Sequence, residues 1–406
     1  MVKKILRAFI DLFAELAFKI EYGLEAWFHY GTHIIAGGSP SKRLFRYPVS
    51  QFDAIPGALK SRLALFVACH PDADQLPESN RQYLMSLLRC GFRILYIHNG
   101  PLTDRLRNQL GEYCEAVFCR QNIGQDFGAW KDAFLFVHES KLLHHVDWLL
   151  LCNDSNFFLG PHQALSFEQK FKAGLASQDD DLIALNKNYE LWQHYQSFFL
   201  CFHKSLFGRL AFLRFWQDYR PLPHRYRIIK KGEVELTRSV INNAKVFILY
   251  QSSDLLSRFR LFQQNPIGFY SCLPQGSLYL ADLISGEYSL NQLHLQKILA
   301  LLDNHNTSHV YALCFVAFLQ SPFLKKDLLS KGIFSMPQLC SVLRFIGLEE
   351  AHPCLYREIM NAYDLQGTNA SYIWRPRLAF RKGIVPRSVV LSGHGQLLKG
   401  LGLPGF

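Results

Sequence analysis

Between Leu63 and Cys152, short apolar runs alternate with helix-patterned segments, and this alternation constrains the fold more than any other feature of the chain. Leu63–Cys69 (LALFVAC), Ala116–Cys119 and Trp148–Cys152 are continuously apolar over four to seven residues, and Phe92–Ile97 is apolar apart from Arg93, which fits strands buried on both faces. Glu78–Leu88, Thr103–Tyr113 and the stretch after Gly124 carry helical patterns between them. Strands and helices in this order predict an α/β fold, a mostly parallel sheet flanked by helices and joined by right-handed crossovers. The pattern continues through a strand at Leu182–Leu185, a strand or apolar loop at Ser197–Phe202, a helix over Phe207–Tyr219, a helix start at Glu233–Thr237 and a strand at Lys245–Tyr250. From about Asn265 the alternation is lost. Helical patterns at Leu290–Leu302, His309–Leu319, Lys325–Leu329 and Met336–Leu348 predict a helical C-terminal region over 265–406, ending in a Gly/Leu-rich tail.

Each early strand stops on polar residues: His70-Pro71-Asp72, His98-Asn99-Gly100, the loop Arg120–Gly128 (RQNIGQDFG), and Asn153-Asp154-Ser155. Ligands of open α/β sheets bind in the crevice outside the carboxyl ends of the strands, so these loops are where chemistry is expected. Asp126 is either a residue of a helix N-terminus or a contact to a ligand hydroxyl, with Gly124 and Gly128 allowing close backbone approach. Asn153-Asp154-Ser155 has a plain reading as an Asx turn closing a strand. Its other reading is a ligand set for Mg²⁺ or Mn²⁺, which take oxygen ligands, often one or two carboxylates plus phosphate oxygens. Only Asp154 is charged there.

The first 40 residues are apolar but interrupted by Asp11, Glu15, Lys19, Glu21 and Glu25, so no uncharged stretch approaches the roughly 18 residues of a span. Asp11, Glu15 and Lys19 recur at helical spacing opposite Ile5, Phe9, Leu12, Phe13, Leu16 and Ile20. An amphipathic helix over 1–40 follows, packed on the domain or lying on an anionic membrane surface. Gly37–Ser41 marks the boundary to a domain over 41–264. The net charge of +11 favours anionic partners, but no basic run exceeds two residues and no nucleic-acid signature is present. Nucleic acid is therefore not expected as a partner. Ten cysteines lie scattered, without a CxxC pair, and read as reduced residues of a cytoplasmic protein.

In combination the motifs say more. Asn153-Asp154-Ser155 is similar to the Asp-x-Asp loop of nucleotide-sugar transferases with a GT-A-type fold. HxD after the first strand (His70, Asp72), Asn99 after the second, N-x-G-x-D-x-G (Asn122, Gly124, Asp126, Gly128) before a helix, and NDS-x4-GP after the fourth strand resemble the rhamnan synthesis protein F family of glycosyltransferases. His194, Gln196, Ser197 and Phe198 match a family-like H-x-QS-F segment, and Glu233–Thr237 is similar to its E-V-G-L-S helix start. Asn306-Thr307 with Ser321-Pro322-Phe323-Leu324-Lys325 resembles its N-P-T…PF-x-K signature, so the likeness runs over about residues 60–335. Phe127-Gly128-Ala129 after Asp126, the missing proline after Asn306-Thr307, and Glu235 in place of a glycine depart from the pattern.

The resemblance implies a GT-A-like enzyme that moves a sugar, a deoxyhexose such as rhamnose among the options, from a nucleoside-diphosphate sugar to a growing cell-surface polysaccharide. It implies a lipid-linked glycan acceptor, peripheral contact with the cytoplasmic face of the inner membrane, and a divalent cation on Asp154. Donor contacts are then expected from His70, Asp72, Asn99, Asn122, Gly124, Asp126, Gly128, Asn153 and Ser155, and acceptor contacts from His194, Gln196 and Lys230. Glu233 stands where the family has a carboxylate and is the candidate base, with Glu235 as substitute; each also reads as a solvated or capping carboxylate. His194 also reads as a core histidine and Lys230 as a wet surface lysine. A scaffold that binds a sugar or nucleotide without chemistry is the alternative.

Overall fold

A computed structural model describes residues 45–46, 61–70, 74–177, 179–189, 192–222, 228–274, 291–331 and 333–367. The N-terminal segment 1–40, Asp72 and the tail after residue 367 lie outside the described residues.

Strands β1 (Phe45–Arg46), β2 (Arg62–Ala68), β3 (Arg93–Asn99), β4 (Ala116–Arg120), β5 (Trp148–Asn153), β7 (Leu182–Ala184), β10 (Phe199–His203) and β11 (Val246–Ile248) form one sheet in the order β1-β4-β3-β2-β5-β10-β7-β11. Only β1 and β10 run against the other six, so the sheet is mostly parallel, as the alternation predicts. Helices α1 (Glu78–Arg89), α2 (Asp104–Gly111), α3 (Gln125–Glu139) and α4 (Pro161–Ala176) make the crossovers. Within β2 the side chains alternate between two cores: Ala64, Phe66 and Ala68 face one and Leu63, Leu65 and Val67 the other. Both faces are covered by helices, which is why the strands read as unbroken apolar runs.

The chain passes from β2 outward through β3 to β4, then returns across them to place β5 on the other side of β2. Chain order therefore reverses between β2 and β5, opening a crevice at their carboxyl ends. Short pairs flank that end: β6 (Asn156–Phe158) with β12 (Phe323–Lys325), and β8 (Lys187–Asn188) with β9 (His194–Tyr195). The helix predicted over Lys325–Leu329 is corrected: β12 ends at Lys325 and turns follow it. Leu324 opposite Phe157 and Lys325 opposite Asn156 tie this segment into a ladder, and tertiary pairing overrides the local pattern.

The helices Gln292–Leu302, Ala312–Leu319, Met336–Phe345 and Pro353–Gly367 pack on the same core as α1, α2 and α4. Leu295, Leu313, Leu343 and Tyr363 lie in one cluster with Phe66, Tyr83 and Phe167. On the opposite face, α3 meets β2 through Trp130, whose Nε1–H donates to the Leu65 carbonyl at 3.2 Å. Beside α3 lies α5 (Leu210–Asp218). Wide π-helical turns run over Ile228–Val234 and Thr237–Ile241, so Glu233 sits inside a helical stretch rather than at its start. A Cβ at Gly232 would come within 2.8 Å of the Phe127 ring, which shows how closely this stretch approaches α3. None of the ten cysteines is in a disulfide. Among the described residues no helix is long and apolar enough to cross a membrane.

Candidate functional site

The first turn of α3 is placed from below by a buried network. Arg120, at the end of β4, donates from Nε to Asp132 Oδ2 at 2.9 Å, from Nη1 to Asn99 Oδ1 at 2.6 Å and from Nη2 to the Ile123 carbonyl at 2.9 Å. Breaking such a buried pair costs about 3–5 kcal/mol, so the loop is firmly seated. Asn99 thus acts as a strut of the loop. The two glycines are needed for the protein's own packing: a Cβ at Gly128 would lie 2.1 Å from the Ile123 carbonyl oxygen, and one at Gly124, where φ is +75°, would lie 2.3 Å from Pro221. The close approach expected of a ligand here is made by the chain itself.

That loop aims Asp126 into the crevice, where its Oδ2 accepts a 2.6 Å hydrogen bond from Asn153 Nδ2 at the end of β5. Asn153 Oδ1 in turn accepts from the Ser155 N–H at 3.1 Å and its hydroxyl at 2.8 Å, so the predicted Asx turn is present. It leaves Asp154 pointing at the end of β2. Asp154 Oδ2 lies 3.3 Å from His70 Nε2 and 3.5 Å from Lys326 Nζ. His70 Nε2 is also 2.7 Å from Asn80 Nδ2, while the His70 N–H donates to His98 Nε2 at 2.9 Å. Burial outweighs the pull of Asp154 and pushes the His70 imidazole down to about 4, so it is neutral near pH 7.

Glu233 enters from the π-helical stretch. Its Oε1 accepts from the Ser197 hydroxyl at 2.7 Å, and its Oε2 is 3.3 Å from His194 Nε2. His194 is buried and its Nδ1 is 2.7 Å from the Trp192 carbonyl, which makes Nδ1 the donor there. Burial works to raise the Glu233 carboxyl, but His194 beside it, the hydrogen bond from Ser197 and the charge of Lys325 hold it below the ordinary range. Asp126 goes the other way: burial and the charges of Asp154 and Glu233 outweigh the Asn153 bond and Lys325, and push it up to about 7. Asp126 therefore lies close enough to both Asp154 and Glu233 to feel their charges.

Two lysines close the opposite side. Lys325 Nζ donates to Ser155 Oγ at 3.0 Å and lies 4.3 Å from the Phe198 ring centre; Lys326 lies over Phe157 as well as beside Asp154. The sequence reading assigned no role to Lys325, Lys326 or Ser197. Lys325 and Ser197 were inside the recognised motifs, and Lys326 was hidden because 325–329 scans as a helix. Other predicted residues stand apart. Asn122 is exposed, with Nδ2 3.8 Å from Cys69 Sγ. Gln196 is buried and accepts from Ser308 Oγ at 3.4 Å. Lys230 is exposed. Glu235 points the other way from Glu233 and lines a separate pocket of about 560 Å³ with Lys231, Arg214, Arg220 and Tyr219. It does not join the carboxylates: successive helical residues are turned by about 100°, so two apart diverge.

Fold and site define an open-sheet α/β protein with an acidic crevice, rimmed by lysines, at the point where strand order reverses. The rhamnan synthesis protein F family model matches residues 94–270, a stretch holding Asp126, Asp154 and Glu233. The family read from the motifs is the one that matches. The uncharacterised protein y4gN of Sinorhizobium fredii is 26% identical over 190 residues, 46% of this chain and 48% of that protein. The chain thus spans about half the length of the curated relative it matches. Among solved structures, a mannosyltransferase from Pyrobaculum calidifontis, in complex with GDP-Man and Mn²⁺, aligns over 78% of this chain and 89% of its own, at 10% identity and a TM-score of 0.28.

Proposed function

We propose that the protein is a GT-A-like glycosyltransferase that moves a sugar from a nucleoside-diphosphate donor to a growing cell-surface polysaccharide. The observation that carries this reading is the convergence of Asp126, Asp154 and Glu233 at the switch point of the sheet. The match to a rhamnan synthesis family favours rhamnose or another deoxyhexose as the sugar, and the acceptor in this reading is a lipid-linked glycan. Work on such an acceptor would take place at the cytoplasmic face of the inner membrane, with the protein peripheral to it.

Glycosyl transfer needs charge on the diphosphate leaving group, a fixed donor, and a base for the acceptor hydroxyl. Asp126 and Asn153, already hydrogen-bonded to each other, bind the donor's hydroxyls. Glu233 takes the acceptor proton on a carboxylate oxygen, oriented by Ser197 and backed by His194, in a direct displacement with inversion. Among the described residues no three metal-ligating side chains come together, so Asp154 would be the single carboxylate to hold a divalent cation, with diphosphate oxygens supplying other ligands. Bound there, Mg²⁺ or Mn²⁺ would supply positive charge to the diphosphate.

The test is a panel of nucleotide sugars screened for thermal stabilisation with and without Mn²⁺. A ligand at 100 times its dissociation constant stabilises by about 2.7 kcal/mol. One donor, or a few sharing a nucleotide, is expected to raise the melting temperature of the wild type and not of Asp154→Ala. Stabilisation by none of the panel would contradict the reading.

A further inference from the structure

We propose that Lys325 and Lys326 form the grip on the diphosphate of the bound donor, so that the C-terminal region completes a site begun by the sheet. The inference rests on the glycosyltransferase reading for the identity of the ligand, but its physical content is a diphosphate-binding pair of ammonium groups.

Charge is the first argument. Three carboxylates face the crevice, and a diphosphate cannot approach them without cations. Arg120 is committed to Asp132, Asn99 and the Ile123 carbonyl beneath the site. Lys325 and Lys326 stand on the Asn153-Asp154-Ser155 turn itself, one on the Ser155 hydroxyl at 3.0 Å and the other 3.5 Å from Asp154. A phosphate arriving at that turn meets both ammonium groups, each a compact charge with three donors.

Placement is the second argument. Consecutive residues of an extended strand point to opposite sides, yet both side chains reach the same turn because β12 ends there. The Lys326 N–H donates to the Ser155 carbonyl at 3.2 Å, and the Leu159 N–H to the Pro322 carbonyl at 2.7 Å, fixing the segment over the turn. From behind, the Tyr363 hydroxyl donates to the Lys325 carbonyl at 2.7 Å. Asp327 is gripped by His309 at 2.9 Å and by Lys331 at 2.6 Å. A segment anchored at so many points presents its charges preorganised, which is what binding a polyanion in a fixed pose requires. Both lysines lie beyond the matched stretch 94–270, although Lys325 falls in the PF-x-K segment that resembles the family.

The experiment is calorimetric titration of inorganic pyrophosphate, and of UDP, GDP and dTDP, into the full chain in Mg²⁺. Wild type, Lys325→Gln, Lys326→Gln and the control Lys204→Gln are compared, with thermal melts confirming that each is folded. Lys204 pairs with Asp147 at the surface and reports the effect of merely losing one charge. A charge-assisted contact is worth about 1.5–3 kcal/mol, so each site variant is expected to bind pyrophosphate about tenfold or more weakly, with Lys204→Gln unchanged. Folded Lys325→Gln and Lys326→Gln proteins that bind pyrophosphate like the wild type would overturn the proposal, as would a wild type that binds no pyrophosphate. If the variants lose pyrophosphate while no nucleoside diphosphate binds, the lysine grip stands and the glycosyltransferase reading falls. If sugar transfer proceeds and the variants bind undiminished, the reverse holds.

Discussion

At the residue scale the site is a set of carboxylates tuned in opposite directions. Asp126 is buried beside Asp154 and pushed up, whereas Glu233 is held down by donors that prefer it ionised. The sign of the Glu233 shift gives a prediction. Removing the Ser197 hydroxyl, which donates at 2.7 Å, takes away one force lowering that carboxyl, so its folded value must rise. In Ser197→Ala the acid limb of the kcat/KM profile should move to higher pH by on the order of one unit, with little change in donor KM, as pH–rate measurements would show. The candidate residues were legible as types because each polar cluster follows an apolar run, but their partners were not. Ser197 and Glu233 are far apart in sequence, and only the fold joins them. Gly124 and Gly128 were expected to let a ligand approach the backbone, yet the groups that crowd them are Pro221 and the Ile123 carbonyl.

At the element scale, most strands and helices before Asn265 could be read in the sequence because double burial leaves unbroken apolar runs. Elements defined by pairing or by special winding could not. Strand β12 exists through its ladder with β6, and the π-helical turns around Glu233 lie where Gly232 packs closely on Phe127. The loop after β12 carries its own pH sensitivity. His309 is buried against Asp327, Lys331 and Lys325; burial and the lysine charges outweigh Asp327 and push its imidazole down to about 4. Unfolded histidine takes its proton near 6.5, so as pH falls from 6.5 toward 4 the unfolded state binds a proton that the folded state does not, and stability is lost. The full shift is worth about 3 kcal/mol. Thermal melts between pH 7 and pH 4.5 should therefore fall more steeply for the wild type than for His309→Gln. Parallel slopes would contradict this.

At the scale of the whole molecule, the boundary drawn at residue 264 from the loss of alternation marks a change of pattern, and the packing runs across it. Leu295, Leu313, Leu339, Leu343 and Tyr363 complete the core over one face of the sheet. Exposing that face would cost roughly 25 cal/mol for each Å² of apolar surface. A chain ending at residue 274 should therefore fail to give a cooperative thermal transition, whereas two independent domains would leave one intact. The same packing brings Lys325 and Lys326 to the turn that carries Asp154. The central claim is that one crevice, formed by Asp126, Asp154 and Glu233, activates a nucleotide-bound sugar, and release of nucleoside diphosphate from the donor in the presence of acceptor glycan tests it most directly. Asp126→Asn, Asp154→Asn and Glu233→Gln should each cut that rate by about a hundredfold or more while Lys204→Gln leaves it unchanged; full turnover in folded protein carrying any of the three would contradict the account.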